Sequence, residues 1–281
     1  WLLAEAGGIG ELGQAVLEVR PDAARVPDSQ ERANWASTIV LLGLASVVYP
    51  QAIQRIYAAR DGKTLQRSLA LMTFMPLTTT LVVTLIGLAA IPRVEGLGRV
   101  EADAVMPLLL GQWSEAGPLA AAAALVVFMG ALAAIMSTAD SVLLSLGSIV
   151  AGDLLGGSGR ASHTTRLGKR VAAWVMAAVA LLALVSREVT LWGLIELKME
   201  LLIQCVPVFL VAIHWRGMRA GPCLLGAGVG AVLAVGAGLA GVKRIEGVHL
   251  GVIALAVNLA IAVFFSAAVS RRPAASAAWP G

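Results

Sequence analysis

Charge is what this sequence has little of. Asp, Glu, Lys and Arg make up 14% of its residues against 58% apolar ones, a balance that excludes an ordinary water-soluble domain. Cysteine is nearly missing. Cys205 and Cys223 both fall in or beside apolar blocks, so neither a disulfide framework nor a four-ligand zinc site can be built, and buried small residues are the reading left. Aromatics are 5% of the chain, and no basic stripe interleaved with them occurs. No nucleic acid partner is therefore expected, and the formal charge of +4 needs only anionic lipid facing basic loops. The sequence also lacks a His-Glu-x-x-His pair, a nucleophile elbow and paired acids at metal-ligating spacing within its apolar blocks, which argues against a membrane-embedded enzyme. His163 and His249 fall in predicted loops and His214 at a block end, places that suit structural roles.

The apolar residues gather into blocks long enough to cross a hydrocarbon layer of about 30 Å, which takes roughly 20 helical residues. Seven are read: Ala36 to Ala58, Leu69 to Ile91, Leu119 to Leu144, Val171 to Val185, Leu191 to Trp215, Pro222 to Val242 and Leu250 to Val269. The fourth is short and is expected to extend past its charged flanks. None alternates polar and apolar residues as barrel strands do, so helices are the way to satisfy their backbone in lipid. The fold class is all-α, with polytopic membrane helices.

Residues 1–34 are read as the end of a preceding span and an extracellular loop, with Pro21 and Pro27 as breakers and room for a short surface helix. Residues 35–272 form the transmembrane domain, and 273–281, rich in Ala and Pro, a disordered tail. With no initiator Met and no signal-peptide pattern at Trp1, upstream spans are expected. A second outer loop, Pro92 to Pro118, carries an apolar patch from Ala104 to Leu110, too short to span, that would lie in the interface or fold as a lid.

Basic residues set the orientation. Arg55, Arg60, Lys63, Arg67, Arg160, Arg166, Lys169, Arg170, Arg216, Arg219, Arg271 and Arg272 all lie in short loops or flanks on one side. Those on the other side, among them Arg93, Arg99, Arg187, Lys243 and Arg244, are fewer. The former side is cytoplasmic, and the C-terminus with it. An integral protein of a plasma membrane, such as the bacterial inner membrane, is expected.

Three places carry chemistry. In the third block Ala134, Ser137, Thr138 and Ser141 recur at i, i+3, i+4 and i+7, and the face continues through Ser145 and Ser148. It reads either as an oxygen-bearing ion site or as a small-residue packing stripe whose hydroxyls bond back to their own helix. Asp140 beside it marks an ion path or a structural ion pair with an inner-loop Arg. In the first block Pro50 interrupts the helix just before Gln51, Gln54 and Arg55. It removes the hydrogen bond to the carbonyl four residues back, giving a simple kink or a broken helix lining a substrate site. In the fifth block Glu196, Glu200 and Gln204 share one face ahead of Pro207, and Lys198 points about 160° away from Glu200. These charges sit at the lipid boundary or meet a polar solute.

On these residues the chain resembles the sodium/solute symporters, the family of the sodium/glucose and sodium/proline carriers. Tyr49-Pro50-Gln51-Ala52-Ile53-Gln54-Arg55 followed by Ala58-Ala59-Arg60-Asp61 is similar to the family's Gln-Pro-His, Gln-Arg and Ala-Ala-Lys-Asp pattern. Met136 to Ser141 with Asp153 downstream, and Pro207 to Trp215, are the other matching segments. The resemblance implies an inverted-repeat core of ten helices, of which the seven blocks are core helices six to ten, the second repeat, plus two peripheral helices. It implies sodium as coupling ion, held by the hydroxyls of Ser137 and Thr138 and a carbonyl at Ala134. Asp140 stands where some carriers have a hydroxyl associated with a second sodium, a departure that leaves a second cation there as a guess. Substrate contacts are implied around Ser46, Pro50 and Gln51, and around Glu196, Lys198, Glu200 and Gln204. Ser46 stands where the glucose and proline carriers have an aromatic gate, so neither solute is implied. The expected function is sodium-coupled symport of a small organic solute by alternating access, with Lys198 favouring a carboxylate and Glu196 or Glu200 an amine, as in an amino acid. A non-transporting remnant or sensor is the alternative.

Overall fold

The structure is a computed structural model that describes residues 2–94, 98, 101–154, 161–185, 190–215 and 217–270. Trp1, Arg99, Arg160, Arg187, Arg216, Arg271, Arg272 and the tail 273–281 lie outside them. The described chain is helical apart from one short hairpin. Its helices are α1 (Leu2–Glu5), α2 (Ile9–Val19), α3 (Ser29–Val47), α4 (Pro50–Tyr57), α5 (Gly62–Ala90), α6 (Val105–Ser114), α7 (Pro118–Ile149), α8 (Ala161–Val185), α9 (Leu191–Leu202), α10 (Ala212–His214), α11 (Ala220–Leu239) and α12 (Leu250–Ser270).

Five helices are long and apolar enough to cross a membrane: α5, α7, α8, α11 and α12. A sixth span is the pair α3 and α4, bent by 45°. The remaining block expected to span, Leu191 to Trp215, is helical but segmented. After α9 come a 3₁₀ turn at Ile203–Cys205, a π-helical turn at Pro207–Val211 and the three residues of α10. Pro207 has no N–H to continue the α-helical ladder, and the backbone changes winding there. This is an all-α polytopic membrane protein. The short fourth block does run past its charged flank, since α8 begins at Ala161.

The leading stretch is more helical than a surface loop. Pro21 and Pro27 still punctuate it, Pro21 opening a 3₁₀ turn and Pro27 preceding Asp28, the N-cap of α3. The Asp28 carboxylate accepts from the Glu31 backbone N–H at 2.8 Å while Glu31 accepts from Asp28 N–H at 2.9 Å, a reciprocal capping box. Asp61 caps α5 in the same way, accepting from Thr64 N–H at 2.8 Å. That bond, with a second from the Thr64 hydroxyl, holds its carboxyl below the usual carboxylate range.

The chain divides into two units. The first comprises Trp1–Val26 and Gln54–Leu191. Within it Leu12 and Val16 of α2 bury against Ala89 of α5, and Arg93 donates to the Ala89 and Leu2 carbonyls. The apolar patch of the second outer loop forms α6, whose Leu109 is buried. Helices α7 and α8 touch backbone to backbone: a β-carbon at Gly147 would lie 2.9 Å from the Gly168 carbonyl oxygen. Beyond α7 the chain adds a π-helical turn at Val150–Leu154.

The second unit comprises Pro27–Ile53 and Trp192–Gly281. Leu41, Ala45 and Val48 of α3 and its end pack on Ile203 and Val206 to form its apolar centre. Strands β1 (Arg244–Ile245) and β2 (Val248–His249) pair antiparallel between α11 and α12. Their turn has positive φ at both central residues, 49° at Glu246 and 81° at Gly247, the geometry that follows strand twist. Gly247 is required twice over there, since a β-carbon would also lie 2.2 Å from the Gln30 carbonyl oxygen.

Candidate functional site

The break between α3 and α4 falls at Val48 and Tyr49, immediately before Pro50. Because Pro50 has no N–H, the carbonyl of Ser46 loses its helical partner. Ser46 is exposed, and its hydroxyl donates to the Gly43 carbonyl at 3.1 Å. Gln51 is half-buried one residue past the proline. In the same unit the Lys198 ammonium stands 5.1 Å from the centre of the Tyr49 ring, a cation–π contact. Lys198 is itself exposed. The structure thus brings the Lys198 ammonium to the ring of Tyr49, the residue at the helix break.

On α7 the hydroxyl face has two different parts. Ala134, Ser137 and Thr138 are exposed, as is Asp140. The Thr138 hydroxyl donates to the Ala134 carbonyl at 2.9 Å, the back-bonding expected of a helical threonine. Its oxygen keeps lone-pair capacity, whereas the Ala134 carbonyl takes this hydroxyl in addition to its helical N–H. The Ser137 hydroxyl has no hydrogen bond among the described residues, and Asp140 has no ion pair among them. The lower part of the face is occupied. Gln54 of α4 accepts from the buried Ser145 hydroxyl at 2.8 Å and donates to Ser148 at 3.0 Å, while Arg55 donates to Ser141 at 3.4 Å. One amide therefore clasps two serines a turn apart, so the lower half of the stripe packs against α4 while the upper half is exposed.

On α9 the polar residues divide by side. Glu196, Glu200 and Gln204 are all buried. Glu196 accepts from Trp192 Nε1 at 2.8 Å and pairs with Arg244 of the hairpin. Glu200 lies 3.7 Å from Nδ1 of His249. Gln204 donates to the Gly251 carbonyl at 2.9 Å, and its own carbonyl accepts from Asn258 at 2.8 Å. Gly251 allows α12 to start against Glu200, where a β-carbon would lie 2.8 Å from the Glu200 Cα. Glu196 and Gln204 are occupied by protein partners, Glu200 faces His249 beyond hydrogen-bond distance, and Lys198 is the member of the cluster that faces outward.

Three participants escaped sequence reading. Asn258 sits alone among apolar neighbours in the last block, and a lone amide in a span is the signal that would have found it. Gln54 was visible only as part of a motif. His249 was placed in a loop, yet it is 1% exposed.

Neither a curated protein nor a solved structure matches the chain. The sequence profile of the sodium:solute symporter family matches residues 2–230. That span takes in the broken α3–α4 pair, the hydroxyl face of α7 and the polar segment of α9, with the order and spacing of helices between them. The chain belongs to the sodium:solute symporter family and is an integral membrane protein of that family of solute transporters, which are not enzymes.

Proposed function

We propose that the protein couples sodium to the uptake of a small carboxylate-bearing solute, such as an amino acid or organic acid, by alternating access. In this reading α3 to α9 are the second inverted repeat, core helices six to ten, and α11 and α12 are peripheral. The protein lies in a plasma membrane, the bacterial inner membrane, with a cytoplasmic C-terminus. The observation that carries the proposal is the exposed, unclasped upper part of the α7 stripe in a chain of this family. There Ser137, Thr138 and the Ala134 carbonyl offer neutral oxygens of the kind a hard cation takes. Neutral ligands suit a transported ion because it must also leave. Asp140, exposed one turn below Ser137, is a candidate for a second cation.

The solute is drawn to Lys198, which stands over Tyr49 at the helix break, and Ser46, Pro50 and Gln51 of the broken helix are its further contacts in this reading. The acids of α9 serve in this reading as framework that holds Lys198 in place. Sodium and solute favour the same conformation, so each raises the other's affinity by the same factor.

The test is a sodium titration of uptake by the intact gene product in proteoliposomes. Ser137→Ala and Thr138→Ala should each weaken apparent sodium affinity by roughly 5- to 150-fold, from about 1 to 3 kcal/mol for a lost buried oxygen partner. Ser148→Ala, on the clasped half, should leave it unchanged. Lys198→Ala should cut uptake of carboxylates and spare uncharged solutes. Unchanged half-saturation in the first two variants at normal abundance would remove sodium from this site. Uptake indifferent to sodium would remove sodium as the coupling ion, and no uptake with or without sodium would favour the non-transporting sensor reading.

A further inference from the structure

The buried Glu200–His249 pair is used by neither the sodium site nor the solute site, and its hydrogen bonding does not close. His249 is 1% exposed and Glu200 6%. Around the imidazole every polar contact but one is accounted for. The Thr38 hydroxyl lies 2.7 Å from the Asn34 carbonyl and 2.9 Å from His249 Nε2. Its single proton goes to the carbonyl, the shorter contact, so the hydroxyl oxygen accepts from Nε2–H. The His249 backbone N–H is taken up by Ser37 at 3.2 Å. Nδ1 is left buried without a hydrogen-bond partner, facing the Glu200 carboxyl at 3.7 Å.

With Nε2 carrying the hydrogen, a neutral imidazole presents a lone pair at Nδ1 to the lone pairs of a carboxylate, away from water. That arrangement leaves two buried acceptors and no donor between them. One added proton resolves it, whether it rests on Nδ1 against a carboxylate or on the carboxyl donating to Nδ1. A second proton would leave two donors facing each other. We propose that Glu200 and His249 form a buried binding site for one proton, which ties α9 to the hairpin and, through Thr38, to α3.

The surrounding charges do not supply that proton. Glu196, one turn earlier on α9, is held by Arg244 and Trp192. Glu246 of the hairpin accepts from Gln30, and Lys243 precedes the first strand. From α3 the facing groups are Asn34, Ser37 and Thr38, and its charged first turn is engaged in the Asp28–Glu31 capping box. Helices α11 and α12 carry no charged side chain, and Asn258 of α12 bonds Gln204. Glu200 lies on the same helix as Lys198 and His249 on the hairpin, so the proton governs how firmly the solute-facing helix is anchored. This holds whether or not sodium is the coupling ion.

Two measurements on the protein in detergent test this. The melting temperature of the wild type should rise by about 3 °C or more as pH falls from about 8 to 5.5, the range in which histidine changes charge. Glu200→Gln presents a permanent amide donor toward Nδ1, and His249→Gln keeps an N–H for Thr38 without Nδ1; both should lose that rise. A wild type without it, or a Glu200→Gln variant that keeps all of it, overturns the proposal. Should either variant fail to fold, ¹⁵N resonances of the wild-type histidines decide. There are three, and the buried one should show Nε2 protonated throughout and Nδ1 shifting between the two pH values. An Nδ1 resonance that stays at the position of a bare nitrogen at both pH values, or Nδ1–H with bare Nε2 at about pH 8, overturns it. Sodium-driven uptake would be untouched by that failure, which separates this inference from the proposed function.

Discussion

In α12 a third of the apolar window is buried and in α11 22%, whereas α5 and α8 bury none of theirs and α7 6%. The polar groups of these helices differ in the same direction. Asn258 reaches across to Gln204, and Ser266 of α12 accepts from the Arg219 backbone at the start of α11. In α5, Thr73, Thr78 and Thr79 all return their hydroxyls to carbonyls of their own helix, as Thr138 does in α7. In hydrocarbon a helix gains nothing hydrophobic by touching another, so cross-helix polar bonds and close backbone packing decide which helices hold together. The second unit has both. In the first, the clasp of Gln54 on α7 and the Gly147–Gly168 crossing do the same.

The comparison breaks most visibly at glycine. Gly226 faces the Asn258 backbone, where a β-carbon would lie 2.6 Å from the carbonyl oxygen, whereas Gly130 of α7 has nothing within 4 Å. Gly226→Ala should destabilise by about 1 to 3 kcal/mol through overpacking. Gly130→Ala should stabilise by up to about 1 kcal/mol through helix propensity. Thermal melts of the two variants in one detergent would settle it, and equal effects would erase the distinction between the units.

A smaller contrast lies within the α7 stripe. Gln54→Ala strips the buried Ser145 of its acceptor and should cost about 1 to 2 kcal/mol. Thr138→Val, which removes only a bond within the helix, should fall within about 0.5 kcal/mol. Unfolding measured without sodium isolates these packing terms from ion binding.

The smallest effect is expected at the solvent-exposed cap of α5. Because the folded state lowers the Asp61 carboxyl below its ordinary value of 3.8, its contribution is fully present above that value and is lost as pH falls through the lowered one. Asp61→Ala should therefore speed amide exchange at Thr64 and Leu65 near neutral pH, and the difference from wild type should vanish in strong acid.

The spans were legible because length and hydropathy are enough to fix a helix in lipid. Their winding was not. Pro50 announced the break of the first block, yet Pro207 reads the same way in sequence and yields a 3₁₀ turn and a π turn without an open gap. The hydroxyl face of α7 was readable from its spacing, since Ser137, Thr138, Ser145 and Ser148 need only the helical period to be aligned. That Gln54 would claim its lower half depends on a contact 91 residues apart, which periodicity does not encode. The acids of α9 were visible as an i, i+4 face, but their partners come from a hairpin that local pattern renders as loop. Asp61 was noticed as part of a motif, and only its bond to Thr64 shows that it starts a helix.

The pairing of Glu196 with Arg244 also bears on how the chain is made. The two are 48 residues apart, and at about 5 to 20 residues per second of synthesis the carboxylate is complete several seconds before its cation. Glu200 likewise precedes His249, with α11 in between. When α9 first meets the bilayer it carries two acids and a lysine with none of the groups that will neutralise them, and each such charge weighs about 2.5 to 3.5 kcal/mol against entry at a helix centre. Entry of α9 into the lipid is therefore expected to wait for the hairpin, and nascent chains ending before and after Arg244 should differ in whether α9 is inserted.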